Sequence, residues 1–347
     1  MHHAHSSPSR ETSPIIVIAG PTSSGKSSLA IEVAQKYDGE IISADSRQVY
    51  RGMDIGSGKV TKQEQLEARH HLIDIVDPNE EYNISHFLKD ANRAINDIVH
   101  RGKIPIICGG SGFWIQSLIE EAPLPQVAPN PELRIKLATH SKESLFEELH
   151  TLDPVRASTI DRNNPHRLTR AIEIAKAHKE SEASSMKSSQ ENSARENHDE
   201  TNVATFEIPQ KIHNAQSKIY NTCIIALSPP KNILDTKIRL RLDARLHEGM
   251  LEEVTRLHEE GVSWERLEAF GLEYRWCSRF LRNEIPFEHM KERLSFEIIH
   301  YAKRQITWLR RWDRQWKQIE REIHWAPDAD TGKLFVHNFL QSSNKHS

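Results

Sequence analysis

The sequence predicts an α/β fold in which a parallel sheet is covered by helices, interrupted by a helical insertion and completed by long C-terminal helices. Short apolar runs at Pro14–Gly20, Gly39–Ser46 and Lys103–Gly112 alternate with stretches of helical spacing, which is typical of buried parallel strands between helices. A fourth apolar run, Asn221–Pro230, follows a long helical and polar stretch. We therefore predict one sheet domain that is interrupted by an insertion.

Shifts of composition divide the chain into six predicted segments. They are a disordered tail at 1–13, the first part of the sheet core at 14–126, a helical insertion at 127–180, a low-complexity polar insertion without ordered structure at 181–220, the completed core with basic C-terminal helices at 221–325, and a tail at 326–347. The polar insertion is predicted because residues 178–202 contain almost no apolar side chains, so burial cannot offset the entropy of ordering them.

Composition and cysteine usage bound the class of protein. The 347 residues are 37% hydrophobic and 27% charged, and the net charge is -3, so any nucleic-acid partner has to be met by a local basic patch. The three cysteines, Cys108, Cys223 and Cys277, are far apart and form no CxxC pair, which excludes a disulfide framework and a cysteine zinc site. We expect no signal peptide, because residues 1–14 contain no apolar core, and no membrane span, because no apolar run is long enough. We expect a soluble cytoplasmic protein without a membrane partner.

A phosphate-binding loop follows the first strand. The stretch "GPTSSGKS" matches G-x-x-x-x-G-K-[ST] at every fixed position and lies between a strand and a helix, as the motif requires. Its residues are Gly20, Pro21, Thr22, Ser23, Ser24, Gly25, Lys26 and Ser27. Backbone N–H groups of such a loop wrap an anion, the lysine reaches a terminal phosphate, and the Ser27 hydroxyl can ligate Mg²⁺. The motif predicts that a polyphosphate binds, but it does not tell which bond breaks.

Polar residues at the ends of the next two strands bear on that question. Asp45 ends the second strand, so its carboxylate is expected near the loop, where it can act as a metal ligand or a general base, or merely as a helix N-cap. ATP-hydrolysing proteins of this type usually have an acidic residue at the end of a further strand, where it holds a water molecule bound to magnesium. Here the third strand ends in Gly109, Gly110 and Ser111. The missing acid argues against an ATPase, but it does not exclude a kinase.

A basic, tryptophan-rich helix is predicted near the C-terminus. Six cations in "HYAKRQITWLRRWDRQWK" stand against one acid, Asp313, and they predict a footprint for a nucleic-acid backbone: Lys303, Arg304, Arg310, Arg311, Arg314 and Lys317. Trp308, Trp312 and Trp316 share one helix face, a spacing that favours core packing over base stacking. Two other basic stretches, 163–174 and 235–250, fit plain amphipathic helices as well.

Six stretches, in this order, resemble the tRNA dimethylallyltransferases, also called tRNA isopentenyltransferases: "GPTSSGKSSLAI", "IISADSRQVYRGMDIGSGK", "HHLIDIVDPNEEYN", "IPIICGGSGFWIQSLI", "NPHRLTRAIEI" and "YAKRQITWLR". The resemblance implies a P-loop nucleotide-kinase-like parallel sheet core with a helical insertion domain. It also implies transfer of a dimethylallyl group from dimethylallyl diphosphate to N6 of the adenosine 3′ of the anticodon in tRNA, with release of diphosphate. No cysteine–histidine set follows Trp312, so the chain resembles the bacterial branch of the family.

The resemblance also implies roles for individual residues. Asp45 looks like the general base for N6, Lys26 like the diphosphate lysine, and Ser27, which replaces a common threonine, like the hydroxyl that helps hold Mg²⁺. The matching tRNA contacts are Asp45, Ser46, Arg47 and Gln48, then Ser111 and Arg134, then His166, Arg167, Leu168, Thr169 and Arg170, and finally Lys303, Arg304, Gln305, Ile306, Thr307, Trp308, Leu309 and Arg310. The implied partners are the tRNA anticodon stem-loop and dimethylallyl diphosphate, the implied cofactor is Mg²⁺, and we expect a monomer.

Two other functions remain open at this point. One is prenylation of free AMP, ADP or ATP, which does not need the basic C-terminal helix. The other is a P-loop kinase for a small molecule, in which the loop would hold ATP. The basic helix favours a tRNA substrate over both.

Overall fold

The computed structural model describes residues 13–121, 124–125, 127–193 and 221–343. The predicted disordered tail therefore lies outside the described residues except for Ser13. The chain divides into two compact units, Met1–Ala122 with His213–Ser347, and Pro123–Ile212. In the described ranges, no helix is both long enough and apolar enough to cross a membrane.

The strands and helices have the following bounds. The strands are β1 (Ile15–Ala19), β2 (Gly39–Ser43), β3 (His70–His71), β4 (Ile104–Gly109), β5 (Thr222–Leu227) and β6 (His324–Ala326). The helices are α1 (Lys26–Tyr37), α2 (Lys62–Glu67), α3 (Ile84–His100), α4 (Gly112–Ile119), α5 (Pro131–Ala138), α6 (Lys142–Leu152), α7 (Pro154–Thr159), α8 (Pro165–Ser193), α9 (Lys231–His247), α10 (Met250–Glu259), α11 (Trp264–Phe270), α12 (Leu272–Leu281), α13 (Phe287–Lys317) and α14 (Ala329–Ser343).

The first unit contains a six-stranded sheet in the order β3-β2-β4-β1-β5-β6. Every adjacent pair is parallel, so the predicted α/β fold is confirmed. All five residues of β1 are buried, as expected of a strand covered on both faces. In the register of the sheet, Ala19 pairs with Gly109 and Ser43 pairs with Cys108. The carboxyl ends of β1, β2 and β4 therefore meet at one edge, where ligands bind in sheets of this kind.

Helices cover both faces of the sheet. Leu29 and Val33 of α1 and Val336 of α14 join one apolar cluster with the sheet residues Ile16 and Ile18. The opposite face is covered by α3, α4 and α13. Helix α3 is amphipathic, and it begins at a capping box formed by the Asn83 side chain and His86. In a second apolar core, the five helices from α9 through α13 pack against residues that follow β2.

The second unit contains α5 to α8 and has its own apolar core. Leu137, Leu145, Leu149 and Ile172 belong to that core. The predicted helical insertion, 127–180, lies inside this unit.

The structure corrects two of the predicted segments. The predicted tail at 326–347 contains α14, and Ala326 itself ends β6, which pairs with β5. The apolar residues Val336 and Leu340, four positions apart, bury this helix against the sheet, a pattern too short to stand out in the sequence. The predicted polar insertion begins at 181, but α8 continues to Ser193, and no glycine or proline between these positions interrupts the helix. Residues 194–220 lie outside the described residues.

Candidate active site

The phosphate-binding loop lies at the carboxyl edge of the sheet between β1 and α1. Ser23 and Gly25 have φ angles of 60° and 92°, and Gly25 is the N-cap of α1. Left-handed residues of this kind turn successive backbone N–H groups into one hollow, which is an anion site. A Cβ at Gly20 would lie 2.9 Å from the carbonyl oxygen of Leu227, so only glycine fits there. The predicted loop therefore has the backbone geometry of a phosphate cradle.

The predicted catalytic residues meet beside this loop. Lys26, Ser27, Asp45 and Gln48 line one pocket. Lys26 Nζ donates to the carbonyl oxygen of Pro21 at 3.2 Å. Burial lowers the pKa of Lys26, whereas Cys108 and Asp45, close enough to interact electrostatically, raise it. The pocket therefore holds a cation, a hydroxyl and a carboxylate within reach of a single substrate.

Local hydrogen bonds fix the position of Asp45. Its Oδ1 accepts the backbone N–H of Arg47 at 2.9 Å, which holds the chain in a turn directly after β2. The Gln48 side chain accepts from the Ser43 hydroxyl at 3.1 Å and donates to the carbonyl oxygen of Gly58 at 3.2 Å. A carboxylate held in this way keeps lone pairs that can accept a proton from a substrate.

Two arginines of α9 act electrostatically on the site, and they belong to the basic stretch 235–250, which also fits a plain amphipathic helix. Arg241 donates to the carbonyl oxygen of Gly58 at 3.3 Å, and Arg245 pairs with Glu273 at 3.1 Å. Both are close enough to Lys26 to affect its pKa. Their i,i+4 spacing was the available signal, but it also fits an ordinary amphipathic helix.

The charge balance of these two arginines is unequal. The Glu273 carboxylate pairs with Arg245, and burial raises the pKa of Glu273. Among the described residues, Arg241 has no carboxylate within ion-pair distance. Desolvation and the charge of Arg245 lower the pKa of Arg241. Arg241 is therefore a cation free to meet an anionic ligand.

Helix α13 supports the loop from the outside. The side chain of Gln305 accepts the backbone N–H of Thr22 at 2.9 Å and donates to the carbonyl oxygen of Gly110 at 3.0 Å. One turn later, the Trp308 ring lies against Gly112, where a Cβ would be 2.4 Å from Cδ1. The phosphate loop, the end of β4 and α13 are therefore joined by direct contacts.

The predicted tRNA segment of α13 divides by exposure. Lys303, Arg304, Thr307 and Arg310 are exposed, Ile306 and Trp308 are half-buried, and Gln305 and Leu309 are buried. The two buried side chains face the protein interior, so a direct contact with tRNA is not available to them in this conformation. Sequence comparison cannot separate these two kinds of residue.

The tryptophan stripe packs as predicted at two of its three positions. Trp312 and Trp316 are buried, and their indole N–H groups donate to Glu120 Oε1 at 2.7 and 2.9 Å. Trp308 is half-buried, and the Arg311 guanidinium lies 4.2 Å from its ring centroid. The Trp308 Nε1 is buried and has no hydrogen-bond partner within the described ranges.

The remaining predicted tRNA residues lie in two places. Ser111 is adjacent to the site, since its backbone N–H donates to the carbonyl oxygen of Ala44 at 3.3 Å. Ser46 and Arg47 follow Asp45 directly, and Arg47 Nε donates to the carbonyl oxygen of Phe270 at 2.8 Å.

The second unit carries the other predicted contacts. Arg134 and Arg170 both pair with the buried Glu173. Leu168 is buried, Thr169 is half-buried, and His166 and Arg167 are exposed.

Known proteins resemble this chain over most of its length. Residues 48–312 match the family model described as IPP transferase. A tRNA dimethylallyltransferase 1 of Geotalea daltonii is 38% identical over 334 residues, which is 95% of this chain and 97% of that protein. A tRNA dimethylallyltransferase 2 of Treponema denticola is 40% identical over 305 residues, which is 88% of this chain and 94% of the relative.

Solved structures resemble the chain over most of its length. A tRNA isopentenylpyrophosphate transferase of Bacillus halodurans has a TM-score of 0.64 and 27% identity, and the match covers 96% of this chain and 97% of that one. A eukaryotic dimethylallyltransferase described as acting on tRNA has a TM-score of 0.68 and 27% identity, with 91% of this chain and 74% of that chain covered.

Proposed function

The chain belongs to the IPP transferase family, and we propose that it transfers a dimethylallyl group from dimethylallyl diphosphate to N6 of the adenosine 3′ of the anticodon in tRNA, releasing diphosphate. The observation that carries this proposal is that Asp45 shares one pocket with Lys26 and Ser27 of the phosphate loop. A proton acceptor and a polyphosphate cradle in one pocket suit a reaction in which diphosphate leaves and a nucleophile loses a proton.

The diphosphate end of the donor is assigned to the loop and its cations. Backbone N–H groups of the loop, Lys26 and the unpaired Arg241 would stabilise the negative charge that develops as the C1–O bond breaks. Such groups are fixed before the reaction, so they do not have to reorganise in the transition state.

The acceptor end is assigned to Asp45. The N6 amine of adenine is a weak nucleophile, and a carboxylate that accepts its hydrogen bond both orients the amine and takes its proton. The new bond joins N6 to C1 of the dimethylallyl group, and the electron pair of the broken bond leaves with the diphosphate. The adenine has to leave the stack of the anticodon loop to reach a pocket at the sheet edge.

Mg²⁺ is proposed as the cofactor. Ser27 offers a hydroxyl oxygen beside the loop, and hard oxygen donors of this kind suit the ion. In the part of the chain that the structure describes, no group of three or more His, Cys, Asp or Glu side chains could hold a metal by itself. Ser27 would therefore hold the ion together with diphosphate oxygens, where it would supply charge neutralisation. We also propose that the protein acts as a monomer in the cytoplasm.

A donor-transfer assay tests the function. The protein is incubated with labelled dimethylallyl diphosphate and, in parallel reactions, an unmodified anticodon stem-loop or AMP. We expect label in the stem-loop, at the adenosine 3′ of the anticodon by nucleoside mass spectrometry, and none in AMP. Transfer to AMP alone would indicate a nucleotide prenyltransferase, and phosphate transfer from ATP alone would indicate a kinase. Either result rejects the proposal.

A further inference from the structure

Phe113 is an exposed aromatic residue beside the candidate active site. It is the second residue of α4, and 47% of its surface is exposed. Its ring meets the Trp308 ring at a centroid distance of 5.9 Å and an interplanar angle of 75°. The contact is edge-to-face, so it holds Phe113 in place while nearly half of the residue stays open to solvent.

The surroundings of Phe113 carry positive charge. Arg311 lies over the Trp308 ring, and Arg304, four residues before Trp308 and therefore on the same face of α13, is exposed. A single exposed phenylalanine is ordinary on a protein surface. An aromatic pair bordered by cations is complementary to single-stranded nucleic acid, whose phosphates meet the charges while its bases stack on the rings.

Phe113 lies close to the residue assigned as proton acceptor. Ser111, two residues before it, donates its backbone N–H to the carbonyl oxygen of Ala44, which precedes Asp45. Helix α13 also reaches this region, since burial raises the pKa of Tyr301 and the Asp45 carboxylate adds to that effect. An adenosine with its N6 at Asp45 therefore leaves its neighbouring nucleotides at the surface that α4 and α13 share.

We propose that Phe113, braced by Trp308, is a stacking surface for the nucleobase next to the modified adenosine. This inference rests on the proposed function. When the target adenosine leaves the loop stack, the Phe113 ring would replace it as the stacking neighbour of that base. Stacking does not depend on the identity of the base, so Phe113 would contribute affinity for the loop while polar contacts supply sequence preference.

The test combines a protein change with an RNA change. Phe113→Ala is compared with the wild type on the intact anticodon stem-loop and on two loops with an abasic nucleotide, one on each side of the target adenosine. Kd for each loop is measured by fluorescence anisotropy without donor, and KM and kcat are measured by donor transfer. Phe296→Ala serves as the matched control, because Phe296 also lies on the first unit and is 54% exposed.

We expect Phe113→Ala to raise Kd and KM for the intact loop about 5- to 100-fold, with KM for dimethylallyl diphosphate unchanged. On one of the abasic loops, wild type and variant should agree within about twofold, since the stacking partner is absent. Phe113→Trp should bind like the wild type. Phe113→Leu keeps apolar packing on Trp308 but not an aromatic face, and it should show an intermediate loss. Phe296→Ala should have no effect.

Three results would overturn the inference. In the first, Phe113→Ala binds the intact loop with the Kd of the wild type. In the second, Phe113→Ala loses the same affinity on the intact loop as on both abasic loops, and in the third, Phe113→Trp loses as much affinity as Phe113→Ala. The failure of the proposed function is a separate outcome, in which the wild type transfers no label to the intact loop. The anisotropy measurements test the stacking contact in that case too, because they need no turnover.

Discussion

Replacement of Gln305 by methionine separates support of the phosphate loop from direct contact with tRNA. Gln305 lies in the segment expected to contact tRNA, yet its side chain is buried and bridges Thr22 and Gly110. Methionine has a similar length and fills the same space without a hydrogen-bonding amide. The change therefore removes two hydrogen bonds and leaves a backbone donor and a backbone acceptor unpaired.

The expected cost follows from those two groups. An unpaired buried polar group costs about 1–3 kcal/mol, so we expect Gln305→Met to lower the free energy of unfolding by about 2–4 kcal/mol. Thr22 belongs to the anion cradle, so part of the loss falls on ligand binding. If about 1.4 kcal/mol falls there, Kd for inorganic diphosphate rises about tenfold.

Urea unfolding and titration calorimetry with inorganic diphosphate measure the two quantities. Gln315→Met is the matched control, because Gln315 is an exposed glutamine on the same helix, and a change below about 0.5 kcal/mol is expected there. If Gln305→Met raised KM for tRNA but left stability and diphosphate binding unchanged, the support of the loop by Gln305 would be refuted and a direct RNA contact favoured.

Three further outcomes are expected. Asp45→Asn should lose about 10²- to 10⁴-fold in single-turnover rate while tRNA binding is retained, and a near-normal rate would reject the general-base role. Trp312→Phe should destabilise the protein by about 1–3 kcal/mol more than Trp308→Phe in urea unfolding, because only Trp312 loses a hydrogen bond; equal losses would contradict this. Hydrogen bonds from Arg101 hold the pKa of the buried Glu40 carboxyl at about 2, below its usual value. That ionisation stabilises the fold by about 3 kcal/mol above about pH 4.5, and the gain is lost as the pH falls through 2. Glu40→Gln should accordingly flatten the loss of stability between pH 5 and 2, and an unchanged slope would reject the assignment.

The local parts of the site could be predicted from the sequence. The phosphate loop is a contiguous pattern, and its strand and helix flank it directly, so no long-range information was needed. The place of Asp45 followed from a topological rule, because the ends of parallel strands share one edge.

The long-range parts could not be predicted in this way. Gln305 and Thr22 are 283 positions apart, and no periodicity reveals which face of α13 meets the loop. Arg241 and Arg245 fit an ordinary amphipathic helix until the fold brings them beside Lys26. Helix α14 has only a few buried apolar residues, among them Val336 and Leu340. This apolar pattern was too weak to predict a helix in the 22 residues that the sequence presents as a tail.

The glycines at the end of β4 explain why the acid beside the phosphate loop follows β2 and not β4. ATP-hydrolysing proteins with such a loop usually carry an acid at the end of a further strand, and the sequence has Gly109 and Gly110 at the end of β4. A Cβ at Gly109 would lie 2.2 Å from the carbonyl oxygen of Ala44, and one at Gly110 would lie 2.2 Å from Gln305 Nε2. Any side chain at these two positions would displace either the backbone that leads into Asp45 or the amide that holds the loop. The close approach of Gly109 to Ala44 therefore excludes an acid from the end of β4 and also places Asp45 beside the phosphate cradle. There a carboxylate can accept the proton of a nucleophile that attacks carbon.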